Sequence, residues 1–179
     1  MDTPTKLLLG ALPTLGRIAL TRELAALEPE DFRVPQPTGL DAVGVELADG
    51  LTSIAGIAPE IGNRSLTLQL LHRHHLDAGD MEGTKGRQIK SALSELASST
   101  VDAVMVPTLV FEVIEARFRR EYRQLAAAML DRSHTSPLTD LDATLSNGVP
   151  ELRRLRARIK DPRRLAHDAL LHDVLEVPA

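Results

Sequence analysis

Residues 98–132 read SSTVDAVMVPTLVFEVIEARFRREYRQLAAAMLDR, and the reading of this stretch decides the fold. From Phe111 onward its large apolar residues are Phe111, Ile114, Phe118, Tyr122, Leu125 and Met129. Steps of 3, 4, 4, 3 and 4 hold one face of an α-helix, whereas a strand needs alternation by two. Three of the four aromatic rings in the chain fall on this stripe, which is therefore expected to be the core of the protein. Leu109, Val110, Val113 and Leu130 flank it and make the helix apolar on more than one side. Such a helix is either central in its own fold or shared with a partner. Just upstream, VDAVMV at 101–106 is read as the opening of the same helix, kinked at Pro107. Its β-branched residues make a minor strand the alternative.

Composition agrees with a helical reading. Hydrophobic residues make up 43% of the chain and aromatics only 2%, so Leu, Val, Ile and Ala must fill the core. Ala and Leu combine apolar burial with high helix propensity. A chain of 179 residues with 26% charge is expected to make one soluble domain. With no cysteine, disulfide staples, thiolate metal sites and cysteine nucleophiles are excluded. No apolar run approaches the roughly 18 residues of a membrane span. The chain is accordingly read as cytoplasmic and away from membranes. The net charge of −4 is uneven: residues 1–82 carry 6 Lys and Arg against 12 Asp and Glu, and residues 83–179 carry 15 against 13. Such asymmetry favours head-to-tail association, or a basic face offered to an anion.

Working outward from the long stripe, six or seven amphipathic helices are expected around it, an all-α bundle. Thr3 and Pro4 open the first helix, and 14–27 continues after Pro13. EPEDFRVPQPTG, 28–39, carries three prolines and reads as a linker between an N-terminal segment (1–27) and the main bundle (40–179). Helical spacing returns over 40–57, 66–76 and 84–97. After Arg132, residues 138–145 form at most a short helix. Asn147-Gly148 reads as a turn, and Pro150 as the start of another helix. Asp161-Pro162 signals a last one.

ELRRLRARIKDPRR, 151–164, is the most basic segment. With Leu152, Leu155 and Ile159 inward, Arg153, Arg154, Arg156, Arg158 and Lys160 are expected on the exposed arc, followed by Arg163 and Arg164. Guanidinium forks match phosphate oxygens, so a nucleic-acid backbone is a candidate partner. No aromatic residue interleaves them, which argues against base stacking. The cluster from Arg117 to Arg123 is matched locally, with Glu115 four before Arg119 and Glu121 four after Arg117.

Gly83-Thr84-Lys85-Gly86, opening a helix and ending three residues before Ile89, offers amide donors and a lysine to a phosphate. The order G-x-x-G-x-x-I, then a helix and a possible VDAVMV strand, resembles the nucleotide-clamping loop of KH domains. That family carries apolar residues before the first glycine, where this chain has Glu82. His72 and His75 are helical neighbours at i, i+3 and, with Asp80, make a candidate divalent-metal group. LLHDV, with His172-Asp173, is similar to the metal-binding dyad of HD-type phosphohydrolases, but no Asp follows it to complete the ligand set. No Walker-type loop or G-x-S-x-G motif is present, and no cofactor is expected.

Three functions are therefore open. The leading expectation is a non-catalytic helical interaction or assembly protein that self-associates. A nucleic-acid-binding accessory protein using the 151–164 arginines is the alternative, and a metal-dependent enzyme using His72 and His75 the third.

Overall fold

The computed structural model describes residues 3–34, 39–58, 61–134 and 136–160. Among them are seven α-helices, four short 3-10 turns and no strand. Helix α1 (Pro4–Ala11) is started by Thr3, whose Oγ1 accepts a hydrogen bond from the Lys6 amide at 3.1 Å. Pro13 then turns the chain through a 3-10 turn into α2 (Arg17–Ala25). After a 3-10 turn at Pro29–Phe32 come α3 (Gly44–Ile57) and α4 (Arg64–Asp77). Helix α5 (Gly83–Ser98) leads through Ala103–Met105 into the long α6 (Val106–Ser133), and α7 (Leu138–Lys160) returns along it.

Helices α1, α3, α5 and the first half of α6 enclose one aliphatic core, with α2 and α4 packed on α3. Leu8, Leu9, Leu12, Leu47, Leu51, Ile89, Leu96 and Ile114 are buried there, each burial contributing about 1.5–3 kcal/mol. Within the described part of the N-terminal segment, α1 packs into the same core as α3, α5 and α6. The linker expectation also needs correcting where 28–39 is described. Pro29–Phe32 folds into a 3-10 turn with Asp31 and Phe32 buried, because proline at its first position suits a tight turn as well as an extended one.

Residues 101–102 belong to no helix or strand, and 103–105 form a 3-10 turn that runs into α6, so the helical reading of 101–106 holds from Ala103 onward and no strand forms there. The stripe on α6, however, is turned from its expected position. Val106, Leu109, Val110, Val113, Ile114 and Arg117 face the core. Of the six expected core residues only Ile114 is buried; Phe118, Leu125 and Met129 are half-buried, and Phe111 and Tyr122 are exposed. Beyond Arg117 no described residue of α6 is buried, and this half runs along α7, with Arg120 reaching the Glu30 carbonyl.

Helix α7 also differs from expectation, for it runs unbroken through Asn147, Gly148 and Pro150. Gly148 lies so close to α6 that a Cβ there would stand 2.6 Å from Leu125 Cδ1. The glycine therefore serves close helix approach, and the packing it permits outweighs the turn signal. The helix expected after Asp161-Pro162 lies outside the described residues. Among the described residues no single helix is long and apolar enough to cross a membrane.

Candidate functional site

The strongest polar feature joins α6, α7 and the Pro29–Phe32 turn. Arg117, Arg154 and Arg158 meet Glu28, Asp31 and Glu151, so three cations face three anions. Arg117 is buried and reaches Asp31 at 3.2 Å and Glu151 at 2.7 Å, with Glu28 on the same guanidinium. Arg158, only 4% exposed, forks onto Asp31 and donates to the Ala26 carbonyl at 2.9 Å. That last bond satisfies an open carbonyl at the C-terminal end of α2. Arg154 binds Glu28 and Glu151. Its hydrogen bond, reinforced by Arg117 and opposed by burial, holds the Glu28 carboxyl down at about 2. Glu151 is lowered by Arg154 as well. Burial pulls the Arg117 guanidinium down, but the bonds from Glu28 and Asp31 win and raise it.

This junction corrects the expected arginine arc. Arg158 is buried and Arg154 is held by carboxylates, leaving Arg153, Arg156 and Lys160 exposed on α7. Arg163 lies outside the described residues. Arg117 does not pair with Glu121 but with residues of the supposed linker, whereas Arg119 does bind Glu115 at 2.9 Å. The missed signal was the acidic run Glu28-Pro29-Glu30-Asp31, whose partners lie 86 to 127 residues away.

The other candidates are placed apart. Lys85 binds Asp80 at 3.2 Å and lies 3.8 Å from Glu46, so its charge is met within the fold. The two glycines around it shape their own turn. Gly83 takes φ +62°, and a Cβ at Gly86 would stand 2.1 Å from the Met81 carbonyl carbon. With no strand among the described residues, the KH-like pattern reduces to this helix start. His72 is exposed in a cleft between α4 and α5, while His75 is buried near Gly50 of α3. His75 Nδ1 is 3.3 Å from Asp80 Oδ2; burial lowers its pKa against the pull of Asp80. Among the described residues no three His, Asp or Glu side chains gather to hold a metal ion.

One side of the α6–α7 hairpin carries two rows of mostly apolar residues. Leu125 against Gly148, Arg132 Nη1 on Thr144 and Arg117 on Glu151 establish that the two helices run antiparallel. Phe111, Phe118, Tyr122 and Met129 form one row on α6; Leu138, Leu145, Val149 and Leu152 form another on α7. Each row lies about a quarter turn to the same hand of its helix's contact line. In an antiparallel pair, both rows then open on one side. Tyr122 is 59% exposed and Leu138 80%, while the Phe118 and Tyr122 rings stack 6.3 Å apart. No protein-family model matches this chain, and no curated protein or solved structure matches it significantly.

Proposed function

We propose that this chain is a non-catalytic helical assembly protein, two copies of which pair through the apolar side of the α6–α7 hairpin. The observation that carries the reading is where the aromatic side chains went. The chain has four, and three of them, Phe111, Phe118 and Tyr122, stand in the row that the fold leaves at least partly uncovered. Large rings are the residues whose burial gains most, and contiguous rows of them mark contact surfaces.

A second copy is the occupant that the charges favour. Arg153 and Arg156 flank the core end of the hairpin, exposed and without a partner among the described residues; Asp142 flanks the far end in the same condition. A two-fold arrangement with antiparallel hairpins sets the Asp142 end of one copy against the Arg156 end of the other, with Tyr122 and Val149 near the axis. The product is a four-helix packing, a standard way to bury such rows. Nucleic-acid binding along α7 is less well supported, since Arg154 and Arg158 are already held by carboxylates.

Light scattering on the full chain tests the proposal. The wild type is expected at twice its 19.5 kDa mass, and Tyr122→Glu with Leu145→Glu at the single mass with unchanged helicity. A wild type that stays monomeric up to about 100 μM, weaker than ordinary specific association, removes it. Repeating the measurement with duplex DNA and with RNA at two salt concentrations exposes the nucleic-acid reading if the mass instead follows the added strand.

A further inference from the structure

On the opposite flank of α6 a cleft of about 540 Å³ opens between that helix, the first turn of α1 and the residues after the Pro29–Phe32 turn. Its walls include Pro4, Thr5, Val34, Ala116, Arg120 and Arg123. We propose that this cleft binds a small organic oxyanion, whose charged group is read by Arg120, Arg123 and the Thr5 hydroxyl while its apolar body rests on Pro4, Val34 and Ala116.

Several independent observations converge there. Thr5 is 3% exposed as a residue and lines the cleft, where its hydroxyl keeps contact with solvent and makes no hydrogen bond to the described residues. A hydroxyl on a cleft wall with no partner in the fold is free to donate to an oxyanion seated there. Arg120 is half-buried and spends Nη2 on the Glu30 carbonyl at 3.0 Å. Burial depresses its pKa, Glu121 and Asp31 pull the other way and Arg117 adds to the depression; no carboxylate hydrogen-bonds to it, unlike the junction arginines. Arg123 is exposed and unpaired among the described residues, one turn further along the same helix.

Asp31 also lines the cleft, but its carboxylate is already covered. Arg117 and Arg158 donate to Oδ1, and Arg158 and the Glu28 amide donate to Oδ2. It therefore opposes an incoming anion little, and the N-terminal end of α1 adds its positive dipole. Two guanidinium forks and a hydroxyl match a carboxylate or a phosphate equally. The apolar walls favour a ligand with carbon attached over a bare inorganic ion.

The test is an NMR titration of the labelled full chain at constant ionic strength, with inorganic phosphate and with succinate as probes. Saturable shifts are expected at Thr5, Arg120 and Arg123, and the probe that binds tighter identifies the charged group. Arg123→Gln and Thr5→Val are each expected to weaken binding about tenfold or more, the loss of one charge-assisted or buried hydrogen bond. Arg123 is exposed, so its replacement leaves the fold intact. The inference falls if neither probe saturates, if Arg153 and Arg156 shift as much as Arg123, or if Arg123→Gln binds as the wild type does. None of these outcomes depends on dimerisation, because the cleft and the apolar rows occupy different sides of α6.

Discussion

Asp31 is the single residue on which the polar architecture turns. It is 2% exposed and compensates two buried arginines at once, Arg117 and Arg158. Replacing a buried ion-pair network by apolar residues is often harmless, but removing one member strands the others. Asp31→Ala is therefore expected to lower unfolding free energy by about 3–5 kcal/mol, read from the urea midpoint. Arg119→Ala, which breaks the exposed pair with Glu115, is expected to cost under about 0.5 kcal/mol. Glu28 governs the acid limb. Its carboxyl titrates at about 2 in the folded chain against an ordinary 4.5, so its contribution is complete above pH 4.5 and drains away as pH falls towards 2. His75 acts earlier. Its folded pKa lies below the ordinary 6.5, so acid is taken up first by the unfolded chain and stability begins to fall below pH 6.5. Stability measured from pH 8 to 2 is expected to decline in these two windows. Glu28→Gln should shrink the lower one and leave the upper one unchanged; a wild type equally stable at pH 4.5 and pH 2.5 would contradict the junction.

At the scale of elements, local signals were legible wherever nothing distant competed. Thr3-Pro4 and Asn63 start helices as their capping chemistry demands, and the side chain of Asn63 accepts from the Leu66 amide at 2.8 Å. The signals misled at α7, where Asn147-Gly148 and Pro150 spell a turn. Contact along α6 rewards an unbroken helix, and Gly148 is the residue that lets the backbones close. Pro150 then remains as an internal defect, with one amide missing and a ring against the preceding turn. Pro150→Ala is thus expected to raise stability by up to about 3 kcal/mol, with unchanged ellipticity, seen as a higher melting temperature. A fall in melting temperature would mean that Pro150 marks a real break between two helices.

For the whole molecule, the half of α6 beyond Arg117 and its partner α7 extend from the core as a hairpin with one apolar side. If copies pair there, stability is linked to protein concentration. Melting of the wild type is expected to shift upward by several degrees between about 1 and 100 μM, while Tyr122→Glu melts independently of concentration. The amino-acid sequence by itself determined the all-α class, the start of α1 at Thr3-Pro4 and the helical spacing through Ile114, because periodicity, capping and propensity act within a few residues. Tertiary structure alone decided which side of α6 faces inward, that Glu28 and Asp31 neutralise Arg117 and Arg158, and that Tyr122 stays uncovered. Those outcomes depend on groups up to 127 residues apart competing for the same space, and no local pattern ranks such competitors.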